Sequence, residues 1–445
     1  MRQGSIWERS AVAAILVAPV LLIAWSFWPG MMSPDSFTEI AQADTGVFNN
    51  QHAPLLTALW YPLYQLGFGP GWILLAQVAA VASGSYLLLR SALEPKAAAL
   101  VAALIMISPV VFGMLGYFSR DVWFTAFVLL AFGSAVRFVR EDRRTVWLVI
   151  GVASCWLALA ARQNAPPVVV LALGIFAAGL VPATVRMRPL WVAGAALLAT
   201  LVMMGSQVLA NSIIGTEDVN PEQVTMSHDL LEISYAVGEN LVPPSILSDR
   251  TMKPIRGYRN PQFTGPFVFG EAAPAQFPLP EAKMEDLREA WRSAITEHPW
   301  AYAKQRFDMT RRLLAAGYRA NWIYYPQIDA NAFGLTVRNP EANAQARDYV
   351  EGFADPALTG GILYTLWVYQ LAALVAAAYL WRRVRTPEAK VVALLAVATV
   401  GLQAGLSVSA PGAEYRFEFP MVVWSLIAVA CAVASRGRPD EGTPA

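Results

Sequence analysis

Charge is scarce in this chain: 15% of its 445 residues are Asp, Glu, Lys or Arg, 56% are hydrophobic, and the net charge is +1. Near-neutrality argues against a polyanionic partner, and no basic arm interleaved with aromatics offers itself to nucleic acid. Cysteine is almost missing. Cys155 and Cys431 lie in apolar runs at opposite ends of the chain, which gives no support to a disulfide framework or a thiolate metal site. There is no glycine-rich phosphate loop and no dinucleotide fingerprint. Ionisable residues are also missing from the middles of the long apolar runs, where ion-coupled carriers place them, and this weakens a carrier reading.

What the chain does have is apolar length. Runs such as Ala11 to Trp28, Ala97 to Ser119 and Pro189 to Ala210 carry no charged side chain and approach or exceed the ~20 residues that cross a hydrocarbon core. They predict an all-α polytopic membrane protein with about ten transmembrane helices, near 11–28, 72–90, 97–119, 122–138, 145–161, 165–185, 189–210, 361–381, 391–412 and 420–435. The opening run resembles a signal peptide in length, but Trp25-Ser26-Phe27-Trp28-Pro29 is too bulky for a cleavage site, so it is read as the first span.

Charge sets the orientation. Arginine and lysine crowd one set of span ends, from Arg2 and Arg9 through Arg137 to Arg144 to Arg436 and Arg438, whereas the short loops on the other side hold Arg120, Arg162 and Arg416. Positive residues favour the cytoplasm, which places both termini inside and the sparse set outside. Counting 53–70 as a further span would put Arg137 to Arg144 outside, so that run is read as a re-entrant or interface-lying helix, a role that suits Trp60, Tyr61 and Tyr64. The organisation that follows is an N-terminal transmembrane module (1–210, about seven spans, first external loop 29–71), an extracytoplasmic segment of mainly helical character (211–360), a C-terminal transmembrane module (361–436, about three spans) and a disordered tail (437–445). Arginine outnumbers lysine and alanine is abundant, a composition of GC-rich bacteria, so the expected location is a bacterial inner (plasma) membrane.

Polar residues able to do chemistry gather at the external span ends. Asp35 sits just beyond the first span, where a half-desolvated carboxylate is placed to take a proton from an acceptor hydroxyl; equally, it would cap a helix in which Ser36 and Glu39 have capping-box spacing. His52 would bind a phosphate or polar substrate, or close a turn before Pro54. Asp121 would cap the next helix while Arg120 snorkels to headgroups, or the pair would hold a lipid phosphate, or a metal and an acceptor sugar. Arg162 and Arg416 are lone arginines on the face poor in positive charge, and a guanidinium fork suits a phosphate. For Arg416 a local ion pair with Glu414 or Glu418 is the plain alternative. The segment from Ala320 to Pro326, with Tyr324 and Tyr325, is aromatic and irregular, as a sugar-stacking loop or an interface anchor would be.

This succession resembles the membrane-embedded C-class (GT-C) glycosyltransferases. The resemblance is carried by Pro34-Asp35-Ser36 and His52-Ala53-Pro54 after one span, Arg120-Asp121 opening a later span, Arg162-Gln163-Asn164, and Tyr415-Arg416-Phe417 before a proline. It extends to Ser227-His228-Asp229-Leu230 and to His298-Pro299-Trp300-Ala301-Tyr302 with Arg306. It implies inverting transfer of a hexosyl or pentosyl group from a polyprenyl-phosphate donor to an extracytoplasmic glycan, lipid or protein acceptor of the cell envelope. In that scheme Asp35 is the general base and Asp121 positions the acceptor or a cation. Arg162, Arg416, His52 and Arg120 bind the donor phosphate, and Glu39, His228, Tyr324 and Tyr325 bind the acceptor. Relatives carry two neighbouring acids where this chain has Arg120-Asp121, which leaves a divalent cation open; no metal-ligand set is identified, and the lipid-linked sugar is a substrate rather than a cofactor. A transporter or flippase of a lipid-linked glycan would share the external arginines and the many spans. Acids concentrated in the external loops favour the enzyme.

Overall fold

The structure, a computed structural model, describes residues 6–140, 144–320, 322–354 and 362–437. The tail expected to be disordered lies, from residue 438 onward, outside the described residues. The chain is helical, with isolated bridges in place of strands among the described residues. It opens with α1 (Ile6–Phe27), α2 (Pro34–Thr45), α3 (Pro54–Gln65), α4 (Pro70–Leu89), the bent pair α5 (Pro95–Ile107) and α6 (Pro109–Leu115), and α7 (Arg120–Arg140). Then come α8 (Arg144–Ala161), α9 (Pro166–Leu180) and α10 (Arg188–Ile213). The stretch 211–360 forms α11 (Gln223–Val237), α12 (Met252–Tyr258), α13 (Gly265–Val268), α14 (Glu281–Glu297), α15 (Pro299–Leu313) and α16 (Pro340–Ala354). The chain closes with α17 (Leu366–Arg383), α18 (Pro387–Ser409) and α19 (Tyr415–Ala434).

Proline decides where many of these helices start. Its missing N–H is no loss in the first turn and its φ is preset for a helix, and it opens α2 to α6, α9, α15 and α18. Pro109 also breaks one span: Ser108 before it is held at φ −62°, ψ 141°, out of the helical region as a residue preceding proline prefers, and α5 and α6 meet at 76°. Among the described residues, seven helices are long and apolar enough to cross a membrane, eight if the bent pair is one span. The other predicted runs fall on α9, apolar but 15 residues long, and on α17, which carries Gln370 and ends in Arg382-Arg383. So the ten predicted runs are all helical, but seven or eight of them reach crossing length and apolarity.

The apolar run at 53–70 forms a helix too short to cross by itself. α3 has 12 residues, about 18 Å at 1.5 Å per residue, against ~30 Å of hydrocarbon. It packs on α2 and turns back through Gly67, whose φ of 83° is in the left-handed region. Leu59, Tyr61 and Leu63 remain exposed on it.

Two cores form. The larger runs through the helix bundle around α7, whose inner residues Phe124, Leu129, Phe132 and Val136 are fully buried. The smaller, of Leu230, Ile233, Ile255, Phe267, Met284 and Leu287, ties α11 to α12, α13 and α14. By contrast α10 keeps Leu197, Leu198, Leu201 and Val208 exposed, an apolar face for which lipid is as good a solvent as protein. α7 and α8 form a hairpin whose open end holds Asp121 and Arg162 and whose closed end holds Arg137, Arg140 and Arg144. The candidate functional residues gather at that open end.

Candidate active site

The site begins with a turn that needs glycine. After α1 the chain reverses at Gly30, at φ +118°, with Phe118 already 3.2 Å from where a Cβ would stand. Met31 can then pair with residues 116–118, its N–H donating to Gly116 O at 2.8 Å and its carbonyl accepting from Phe118 N at 2.9 Å. This registers the first loop against the start of α7. The helix cap lies one turn earlier than the Ser36/Glu39 spacing suggests: Ser33 N–H donates to Ser36 Oγ at 3.2 Å, and Ser36 Oγ–H donates to Phe118 O at 2.8 Å. Asp35 and Glu39 are thereby left free to face the bundle. At α7, likewise, Ser119 Oγ accepts from Asp121 N at 3.1 Å, so the serine is the cap and the Asp121 carboxylate is available for other work.

Arg416 joins the two acids. Its Nη1 donates to Asp35 Oδ2 at 2.6 Å, and its Nε lies 2.5 Å from Glu414 Oε2 and 4.0 Å from Asp121 Oδ2. Tyr117 OH stands 3.4 Å from the same Nη1 and 2.6 Å from Ser33 Oγ. On the far side of Asp121, Arg162 Nη1 lies 2.9 Å from Oδ1, with the guanidinium 5.1 Å above Phe417 and 5.9 Å above Phe124. His52 Nε2 is 3.9 Å from Asp35 Oδ1. Glu39 Oε2 and both His52 ring nitrogens are buried with no hydrogen-bond partner among the described residues. Arg120 is half-buried and makes no ion pair or hydrogen bond among them.

These surroundings divide the titratable groups by charge. Burial works against ionisation of Asp35, but Arg416 and Arg120 outweigh it and hold the carboxyl well below the usual range. Burial pushes Glu39 the other way, up to about 8, with Arg120 opposing and Asp35 and Asp121 adding to the rise. His52 is held down to about 3 by burial and by Arg120. At neutral pH the cluster is therefore an ionised Asp35, a protonated Glu39 able to donate a hydrogen bond, a neutral imidazole and an unpaired Arg120. The pull of His52 on Asp35 is absent at that pH, so the arginines keep Asp35 charged.

Asp35, Glu39, His52, Arg120, Asp121, Arg162 and Arg416 thus meet at one end of the bundle. Tyr325 borders them, stacked on Tyr117 at 5.5 Å with Trp322 stacked on it at 5.9 Å. Tyr324 turns the other way, its hydroxyl donating to Glu351. His228 is also elsewhere: it is 2% exposed, Nδ1 lies 3.1 Å from Gln305 Nε2, and it lines a hollow of about 30 Å³ with Glu232, Arg259 and Arg312. None of these contacts involves the Asp35 cluster, because His228 is on α11 and belongs to the smaller core. The sequence does not single out Tyr117 and Ser33 as site residues, whereas the ion pair of Arg416 with Glu414 that it offers is present. Tyr117 had a signal in its place two residues before Ser119-Arg120-Asp121, with a hydroxyl in an otherwise apolar stretch.

The donor set does not fit a divalent cation. Among the described residues no three His, Cys, Asp or Glu side chains come together as a metal needs. Guanidinium groups already stand against Asp35 and Asp121, and Glu39 is protonated at neutral pH.

No protein-family model and no curated protein matches the sequence. The fold is similar to solved structures of the oligosaccharyltransferase of Archaeoglobus fulgidus. One, the archaeal oligosaccharyltransferase AglB in complex with an inhibitory peptide and a dolichol-phosphate, is 15% identical over 97% of this chain and 51% of that one, with a TM-score of 0.45. Another, tethered with an acceptor peptide containing the NVT sequon via a disulfide bond, is 14% identical over 96% of this chain and 49% of that one, with a TM-score of 0.43. The chain spans about half the length of these structures.

Proposed function

We propose that the chain is an inverting glycosyltransferase of the GT-C type, moving a sugar from a polyprenyl-phosphate donor to a cell-envelope glycan, lipid or protein at the non-cytoplasmic face. The observation that carries the reading is the convergence of Asp35, His52, Arg120-Asp121, Arg162 and Arg416, from separate segments, at one end of a membrane-helix bundle, with an ionised carboxylate 2.6 Å from a guanidinium. The sidedness rests on the crowding of arginine at the opposite end.

Arg120, the unpaired cation, is the first contact for an arriving lipid phosphate, and neutral His52 donates a hydrogen bond to it. Arg416 turns from Asp35 to the phosphate. Asp35, deprived of its counter-charge in a buried place, then binds a proton more tightly. The acceptor hydroxyl, held by a hydrogen bond from Glu39 and flanked by Tyr325, attacks the anomeric carbon opposite the phosphate. Its proton passes to Asp35 while the sugar–phosphate C–O bond breaks and the electron pair leaves with the polyprenyl phosphate, whose added charge meets Arg120 and Arg416. One displacement inverts the centre. Arg162, buried against Asp121, holds that carboxylate in place rather than meeting the phosphate.

The test is transfer by purified protein in liposomes holding a polyprenyl-phosphate sugar. Asp35→Asn should abolish transfer while polyprenyl phosphate still binds; full activity would remove Asp35 as the base. Movement of the donor between leaflets with no change in its mass would instead make the chain a transporter. Mass spectrometry of envelope glycans with and without the protein identifies the sugar and the acceptor.

A further inference from the structure

Away from the Asp35 cluster, a hollow of about 400 Å³ is lined by Trp28, Pro29, Pro70, Trp72, Leu335 and Arg338, among others. Trp28 follows the last residue of α1, Pro70 and Trp72 lie in the first turn of α4, and Arg338 precedes α16. The hollow is therefore at the same end of the bundle as Asp35. Its walls are fixed: Arg338 N–H donates to Trp28 O at 3.0 Å, and the Trp28 and Trp72 rings meet edge to face at 5.9 Å. Gly71 is required there, since a Cβ would lie 2.4 Å from the Trp28 ring.

Its outer side is flanked by exposed apolar side chains. Trp25 and Leu21, on α1 just before Trp28, are 66% and 58% exposed, and Trp72 is 52% exposed beside exposed Phe68. Tryptophans at span ends sit at headgroup depth. Over the hollow, the exposed Arg338 guanidinium makes no ion pair or hydrogen bond among the described residues, and none of the lining residues is acidic. An uncompensated cation in a hollow also lined by two tryptophans is complementary to a lipid phosphate, and the volume lies within the ~300–1,000 Å³ of small-molecule sites. The lack of a lining carboxylate leaves nothing to receive the ammonium of a zwitterionic lipid.

We infer that this hollow binds the headgroup of an anionic bilayer phospholipid, its phosphodiester on Arg338 and its glycerol and chain roots against Trp28 and Trp72. The Arg338 segment also touches the helix that carries Asp35, where Phe333 stacks on Phe37 of α2 at 6.3 Å.

The experiment uses the full chain in nanodiscs of phosphatidylcholine with a trace of photoactivatable phosphatidylglycerol, and needs no transferase activity. Adducts are expected on peptides holding Trp28, Trp72 or Arg338, at least fivefold weaker in Arg338→Glu and in Arg338→Gln, and undiminished in Lys283→Glu, an exposed charge change on α14. Thermal unfolding in detergent checks that the Arg338 variants are folded; Arg338→Gln is the decisive one if the glutamate variant is not. Equal adduct yield in wild type and Arg338→Gln would overturn the assignment, as would equal yield from a photoactivatable phosphatidylcholine. Loss of the adduct on adding equimolar polyprenyl phosphate would also overturn it, by giving the hollow to the donor.

Discussion

Arg162 and Arg120 are both external arginines in the sequence, yet their environments separate their roles. The Arg162 and Asp121 side chains are 9% and 2% exposed. Removing one partner of such a pair leaves a buried charge uncompensated, a loss of about 3–5 kcal/mol. Arg162→Ala should lower the unfolding free energy by about that amount in denaturant titrations, and a change under about 0.5 kcal/mol, the range of an ordinary surface substitution, would contradict the pairing. Arg120→Ala breaks no ion pair or hydrogen bond among the described residues, so its stability should change far less than that of Arg162→Ala while affinity for polyprenyl phosphate falls roughly tenfold, about 1.4 kcal/mol. Unchanged affinity would take Arg120 off the phosphate. Glu39 gives a pH signature. Its carboxyl is pushed up to about 8 from 4.5, so on raising the pH the unfolded chain releases this proton first. Stability is then fully present below the unfolded value and is lost as pH rises to about 8. Glu39→Gln should remove that descent from a plot of melting temperature against pH; an identical slope in both proteins would mean that Glu39 is already ionised. The sequence makes the cluster's residue types legible through their position at span ends. It cannot tell a phosphate-binding arginine from one buried on a neighbouring carboxylate, since that depends on which hairpins face each other.

Loops between elements set where those side chains point, and the one before α19 is held from outside the bundle. Arg306 of α15 pairs with Asp229 at 2.6 Å and donates to Ala410 O at 2.9 Å, while Ala413 N–H donates to Gln262 O at 2.9 Å. Gly412 lies so close that a Cβ would be 2.7 Å from Gln262 O. Glu414 and Arg416 follow directly, so Gly412→Ala should displace the loop and with it the guanidinium that faces Asp35. A tenfold or greater fall in kcat/KM, about 1.4 kcal/mol of transition-state stabilisation, is expected in the liposome assay. Full kcat/KM would show that the loop's path does not set Arg416. At this scale the reading from sequence is mixed for a physical reason. Proline starts are visible residue by residue, and Pro299 is one of them, opening α15 directly after α14. The cap of α2 is displaced by one turn because Ser36 finds Phe118 O, a partner 82 residues away. His228 is misplaced likewise: nothing local reveals that α11 closes a second core with α12, α13 and α14.

For the whole molecule, the run at 53–70 decides the sidedness of everything after it. Apolar length made the helices visible, because lipid-facing and core-facing residues are equally hydrophobic and each run is continuous. The same property hides which runs cross, and α3 is set apart by its 12-residue length. If α3 stays on one side, Leu66, between α3 and α4, and Gln163, between α8 and α9, share a face, while Glu94 and Arg385 lie on the opposite one. All four are exposed, and both native cysteines are buried, so single cysteines at these positions can be labelled over a low background. In sealed, right-side-out vesicles a membrane-impermeant maleimide should modify Leu66→Cys and Gln163→Cys at once, and Glu94→Cys and Arg385→Cys only after permeabilisation. A crossing at 53–70 would protect Leu66→Cys and expose Glu94→Cys. If Val47→Cys, exposed between α2 and α3, is protected together with Leu66→Cys and Gln163→Cys while Glu94→Cys and Arg385→Cys are labelled in intact vesicles, the whole bundle is turned over and Asp35 lies in the cytoplasm, where an acceptor outside the cell cannot reach it.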